Sequence, residues 1–243
     1  MNHNPPTAKK GLFVTAIQQE TGKTLFTAAL ARMLHGNNLD VGVMKPVETG
    51  VEDPAKLGAD GALLRWAADS RQADAQVSPY RFRTQLAPAV AAAEEKQRID
   101  YNALVEQTTE AIASHNFTLV EGTGGLMTPL AGGLLMADYA RAVGLPVLLL
   151  CRPSPDALDL MLTALYAAHA LELEVAGYLI TQMPEDKSPV AATLAHSLAV
   201  QTADELIGVL SQVPGDSEQE KIIALEKQLA QMKTLSLLAP YLP

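Results

Sequence analysis

Short apolar runs recur along this chain at the length of a β-strand: "GLFVTA" (residues 11–16), "DVGVMKPV" (40–47), "FTLVEG" (117–122), "LPVLLLC" (145–151), "EVAGYLIT" (174–181) and "ELIGVL" (205–210). They show little polar–apolar alternation, so both faces of each strand must be covered, which is the condition inside a parallel sheet. Segments of helical period lie between or beside them, at residues 23–34, 61–68, 101–114, 134–143, 156–171 and 189–198. This order predicts an α/β fold: a doubly wound, mainly parallel sheet with helices on both faces. In residues 217–237, Ile222, Ile223, Leu225, Leu229 and Met232 fall at mostly helical spacing, which predicts an amphipathic helix laid over the sheet edge. No internal repeat or linker composition breaks the chain, so a single domain over residues 11–243 is expected, behind a flexible tail at residues 1–10.

The first run leads into "TAIQQETGKTLF", and this junction carries the strongest chemical signal. Gly22-Lys23-Thr24 follows an apolar strand and opens an apolar-periodic helix. Backbone amides at such a start, here from Glu20 and Thr21 through Gly22 and Lys23 to Thr24 and Leu25, point towards an anion, and Lys23 adds a mobile positive charge against phosphate. The Thr24 hydroxyl is of the kind that ligates Mg²⁺ beside a nucleotide. Neither Ala16 nor Ile17 supplies the glycine that usually begins such a loop. Taken by itself, the motif leaves open a plain strand–turn–helix in which Lys23 is a solvated first-turn residue.

Composition narrows the partners. A net charge of −9 and scattered basic residues argue against a nucleic-acid backbone as ligand and leave a small-molecule substrate as the expectation. The single cysteine, Cys151, can form no internal disulfide and belongs to no metal-ligand cluster, and the five histidines lack ligand spacing. The opening residues have no apolar leader core, and no apolar run nears the roughly 20 residues of a membrane-spanning helix. A cytoplasmic protein with no membrane contact is expected.

Two further stretches end strands with charged groups. "MKPVETG" sets Lys45 at a carboxyl end, where Pro46 prevents a helix from continuing and open α/β sheets bind their ligands. "LVEGTGG" sets Glu121 at another, followed by Gly122, Gly124 and Gly125, which allow close backbone approach. Asp60, in "LGADGALL", lies at a helix start and reads either as a second Mg²⁺ ligand or as a cap.

Taken in order, "FVTAIQQETGKT", "VMKPVETG", "GADGALL", "PYRFRTQLAPAVAA", "LVEGTGGLMTPL" and "MADYARAVGLPVLLL" resemble the dethiobiotin synthetases, ATP- and Mg²⁺-dependent enzymes of biotin synthesis within the P-loop NTPase superfamily. The similarity runs on through "LTAL", "VAGYLIT" and "LIGVL" and covers nearly residues 11 to 210. It implies a ligase that closes a cyclic urea on 7,8-diaminopelargonate with CO₂. An amine and CO₂ form a carbamate, its oxygen attacks the γ-phosphoryl group of ATP, and the second amine expels phosphate. By the same resemblance Lys23 and Lys45 hold the phosphoryl group and carbamate, Thr49 bonds the carbamate side, and Thr24, Asp60 and Glu121 organise Mg²⁺. Gly124 and Thr181 join the phosphate loop and Glu121 in nucleotide binding, and a homodimer is implied.

The chain departs from this pattern at Ala16, at Ile17-Gln18-Gln19, at Thr181 in place of a frequent base-reading asparagine, and at "RPSPDALDL". In the last, Pro155 lacks an amide donor and Asp156 adds negative charge where the family receives a substrate carboxylate, although Ser154 and Asp156 also read as helix caps. Two other classes share much of the pattern: a P-loop amidoligase or kinase-like enzyme acting on another metabolite, and a nucleotide-dependent switch of the partitioning-ATPase type.

Overall fold

The computed structural model describes residues 11–185, 188–238 and 240–242; the expected tail at residues 1–10 lies outside them. The first half runs β1 (Gly11–Ala16), α1 (Lys23–Gly36), β2 (Val41–Met44), β3 (Val47–Thr49), α2 (Ala59–Ala67), α3 (Asp74–Val77), β4 (Tyr80–Phe82), α4 (Pro88–Glu94) and α5 (Tyr101–Ser114). The second half runs β5 (Phe117–Glu121), β6 (Pro129–Ala131), β7 (Leu134–Leu135), α6 (Met136–Val143), β8 (Val147–Cys151), α7 (Ala157–Ala170), β9 (Val175–Met183), α8 (Pro189–Gln201), β10 (Leu206–Ser211) and α9 (Glu218–Gln231). A 3₁₀ turn, Lys233–Leu238, follows.

The sequence-expected sheet is present: six parallel strands in the order β10-β9-β8-β1-β5-β2. Strand addition switches sides at β1, which pairs with β5 on the side that also carries β2 and with β8 on the side that carries β9 and β10. Its carboxyl end therefore opens at the switch point, where crossover connections leave to opposite sides and a crevice forms.

Strands β1, β2, β5, β8 and most of β9 bury both faces, whereas the edge strand β10 leaves Val209 and Ser211 exposed. On β1, Leu12, Val14 and Ala16 join Phe26 and Leu30 of α1, Leu64 of α2 and Ile222, Leu225 and Leu229 of α9 in one core. Phe13 joins the opposite core with Leu104, Tyr139, Met161, Leu194 and Leu198 from α5, α6, α7 and α8. Phe13 and Tyr139 meet edge to face with ring centroids 5.9 Å apart, a favoured aromatic geometry. The stripe on α9 covers α1 and the β10 side of the sheet through Ile222, Leu225 and Leu229, all buried.

The run at residues 40–47, expected as one strand, is divided. Val41–Met44 belongs to the main sheet, whereas Val47–Thr49 pairs in parallel with β4 in a separate two-stranded sheet. Pro46 has no N–H for the ladder, and the Lys45 amide turns aside to bond the carbonyl of Val77 at 2.7 Å. The break aims Lys45 into the crevice.

Candidate active site

The loop between β1 and α1 is held by the end of β9. The Thr181 hydroxyl lies 2.6 Å from the Thr21 carbonyl and 3.0 Å from that of Cys151, and the Gln182 amide donates to the Glu20 carbonyl at 2.8 Å. Gly22 takes a left-handed conformation at φ 74°, which glycine adopts without the cost of a Cβ. A Cβ there would lie 3.0 Å from the Gln182 Nε2. Helix α1 then starts at Lys23 with no side-chain cap, leaving its first amides for a ligand.

Four side chains from separate elements meet beside this helix start. Lys45 Nζ lies 2.5 Å from Glu121 Oε1 and 2.9 Å from Asp60 Oδ2, and the Thr24 hydroxyl donates to Glu121 Oε1 at 2.8 Å. Glu121 is fully buried and Lys45 nearly so. Burial by itself would lower the Lys45 ammonium, but the Glu121 and Asp60 carboxylates outweigh it and hold the group above the ordinary lysine value. Burial would likewise raise Asp60, yet the Lys45 charge prevails and holds its carboxyl below the usual range. Lys23 lies within the field of the same groups: burial and the positive charge of Lys45 lower it, with Glu121 and Asp60 pulling the other way.

One polar atom in this cluster is left over. Glu121 Oε2 is buried and has no hydrogen-bond partner among the described residues, although both Thr24 and Lys45 bond its sister oxygen. A buried carboxylate oxygen without a partner is costly unless a cation or water completes it. The oxygen donors of Thr24, Asp60 and Glu121 are the hard ligand set that Mg²⁺ uses beside phosphate, so the residues fit that ion. Among the described residues, no group of three His, Cys, Asp or Glu side chains is arranged for a metal, and the fit rests on two carboxylates plus a hydroxyl.

Two cavities flank the cluster. One, of about 750 Å³, is lined by Glu48, Thr49, Gly50, Asp53, Gly58 and Asp60, among others. Thr49 thus lies on the same crevice as Asp60, as its strand-end position suggests. The other, of about 240 Å³, lies against Thr21, Gly22 and Leu25 and is walled by Leu210 and Leu225, with Gln182, Ser211, Gln212 and Lys221 supplying polar groups.

Thr181 borders this second cavity with the neighbouring Gln182, and both the Thr181 hydroxyl and the Gln182 side-chain amide donate to carbonyls of the loop. Gln182 could have been found from the sequence only by allowing a one-residue shift along β9. Lys221 and Leu225 belong to α9, where helical spacing signalled packing alone. Gly124 has φ 74°, and a Cβ there would meet the Thr128 hydroxyl at 2.3 Å, so its missing side chain makes room for Thr128 within the glycine turn. Glu20 extends into solvent, with Oε2 3.9 Å from an Arg152 nitrogen.

The segments where the sequence departs from the family pattern touch one another. Gln18 Nε2 donates to Ser154 Oγ at 3.2 Å across 136 residues of chain. The Ser154 hydroxyl in turn bonds the Asp156 carboxylate and draws it down in pKa. Asp156 stands at the N-cap of α7, but its side chain takes that hydroxyl instead of a helix amide, so it caps by position and not by hydrogen bond.

A strand–loop–helix anion site, an Mg²⁺-type oxygen set and a buried lysine at one switch point define a P-loop nucleotide-binding α/β protein. A family model described as "AAA domain" matches residues 10–221. The ATP-dependent dethiobiotin synthetase of Anaeromyxobacter sp. (strain Fw109-5) is 31% identical over 214 residues, covering 88% of this chain and 95% of that protein. That of Methylobacterium nodulans is 34% identical over 197 residues, covering 77% and 87%. The chain belongs to the dethiobiotin synthetase family, within the P-loop NTPases.

Solved structures support the fold alone. A ParA family ATPase from Chlorobium tepidum TLS superposes with a TM-score of 0.55 at 13% identity, covering 94% of this chain and 95% of that one. The septum site-determining protein MinD from Pyrococcus horikoshii OT3, complexed with Mg-ADP, gives 0.54 at 16%, covering 91% and 96%.

Proposed function

We propose that this protein is an ATP- and Mg²⁺-dependent dethiobiotin synthetase, closing the cyclic urea on 7,8-diaminopelargonate with CO₂ during biotin synthesis. One observation carries the reading beyond family membership: Lys45 is fixed between Asp60 and Glu121, beside Thr24, at the strand ends where the phosphate loop opens. In this reading the amides of residues 20–25 and Lys23 receive the β- and γ-phosphates of ATP. The base enters the cavity beside Leu25 and Gln182. The diamine occupies the larger cavity along Thr49, whose acidic lining suits a cationic substrate.

Thr24, Asp60 and Glu121 would hold Mg²⁺, which supplies shielding of the phosphate charge. Lys45 then divides its ammonium between these carboxylates and the incoming groups. It steadies the carbamate oxygen as that oxygen attacks phosphorus, and with Lys23 it bears the negative charge that grows on the transferring phosphoryl group. Phosphoryl transfer asks a protein for little beyond such positioning and charge stabilisation. Residues 11–243 serve as one catalytic domain, working as a homodimer in the cytoplasm.

The test is phosphate release from ATP, with diamine and bicarbonate-derived CO₂ each supplied or withheld. A ligase requires both, whereas a nucleotide switch hydrolyses slowly with neither. Lys45→Ala should lower kcat by about 10²-fold or more, the scale of one lost transition-state donor. Wild-type turnover in a folded Lys45→Ala protein would remove this residue from the chemistry.

A further inference from the structure

Glu48 sits within the same Lys-Pro-Val-Glu-Thr-Gly stretch as Lys45 and Thr49, and beyond lining the cavity assigned to the diamine it has no role above. Its side chain is only 4% exposed. One carboxylate oxygen accepts from the Gly58 amide at 3.3 Å and the other from the Gly61 amide at 3.1 Å. These amides belong to the beginning of α2, whose N-cap, Gly58, has no side chain with which to cap the helix. The cap comes instead from β3, a different element.

Both glycines follow from that contact. A Cβ on Gly58 would stand 2.4 Å from Glu48 Oε2, and one on Gly61 would stand 2.6 Å from Glu48 Oε1. Asp60 lies between the two bonded amides, with its own carboxylate 2.9 Å from Lys45 Nζ. The side chains of Lys45 and Glu48 therefore grip the first turn of α2 twice, Lys45 at the Asp60 carboxylate and Glu48 at the backbone amides of Gly58 and Gly61. We propose that Glu48 is a positioning residue whose carboxylate seats this turn against β3 and so sets where Asp60 meets Lys45. The inference builds on the phosphoryl-transfer reading above and deepens it.

Glu48→Gln tests it, because the amide keeps one acceptor and turns an NH₂ towards the other helix amide. A sub-ångström to 1 Å displacement of a positioned group can cost up to about 10²-fold in rate. We expect kcat to fall about 10-fold or more, and the gain in ATP affinity on adding Mg²⁺ to shrink. ATP affinity measured without divalent ion should stay at the wild-type value, since the phosphate loop is untouched. Gly61→Ala presses on the same carboxylate from the other side. Alanine favours a helix over glycine, so a loss of rate there cannot come from helix propensity.

Should Glu48→Gln fail to fold, Gly61→Ala decides: reduced kcat with intact metal-free ATP affinity supports the proposal, and full kcat overturns it. Wild-type kcat and Mg²⁺ response in folded Glu48→Gln would also overturn it, as would loss of metal-free ATP binding in both variants. If the wild-type protein itself shows no diamine-dependent turnover, the functional reading fails, while the Mg²⁺ response of ATP affinity still judges Glu48.

Discussion

Lys23 and Lys45 are two lysines in one crevice with opposite electrostatic fates. Lys45 has a carboxylate on either side and keeps its proton far into alkali, whereas Lys23 feels burial and its neighbour's charge first. A buried pair such as Lys45–Glu121 gives little net stability against an apolar substitute, but removal of one partner leaves a charge that is expensive to bury. The lowered pKa of Lys23 has a kinetic consequence, because kcat/KM reports groups of the free enzyme. As pH rises, Lys23 is the first of the two to lose its charge. The alkaline limb of kcat/KM should therefore fall below the ordinary lysine value of about 10.4 and be displaced upward in Lys23→Arg. A pH–rate profile with its limb at or above that value would refute the burial effect. The unfolded chain holds this proton more tightly, so the Lys23 contribution to stability increases with pH between its folded and unfolded pKa values.

Among the elements, the β2–β3 break and α9 do most to shape the crevice. Pro46 ends the main-sheet ladder, Lys45 turns inward, and β3 is released to pair with β4 and bring Glu48 to α2. At the other flank, α9 buries Ile222, Leu225 and Leu229 against the α1 side of the sheet, while Lys221 and Leu225 reach the cavity beside the phosphate loop. One helix thus supplies both packing and a wall of the site. Leu229 is wholly buried and does not line that cavity. Leu229→Ala should destabilise the protein by about 2–5 kcal/mol, the range for such a truncation in a close-packed core. Equilibrium urea unfolding measures this, and an unshifted midpoint would mean that α9 is not part of the cooperative core.

Across the whole molecule, the six-stranded sheet shields its interior from chemistry at the edges. Cys151 ends β8 with no exposed surface, and burial pushes its thiol up to about 12. A thiol reagent at pH 8 should label the native protein only as fast as the sheet opens and label denatured protein at once, because the thiolate is the reacting form. Rapid labelling of native protein would contradict the burial of this strand end. Local order in the sequence was enough to read the sheet, because strands buried on both faces need unbroken apolar runs and crossover helices need a 3.6-residue period. Gly22-Lys23-Thr24, Lys45 and Glu121 were legible for a related reason: in such a sheet, strand ends share one rim, so charged residues placed there can meet. The short elements β4, α4, β6 and β7 were not legible, since they hold too few residues for any period to emerge. Nor could a linear string show that Thr181 turns inward while Gln182 faces the cavity, that Gln18 meets Ser154, or that Glu48 caps a helix whose N-cap lies ten residues later. Strand and helix types follow from contacts repeated every two to four residues, and the sequence determines those by itself. Which polar atoms lie within hydrogen-bond reach depends on sub-ångström packing between distant segments, and only the tertiary structure decides that.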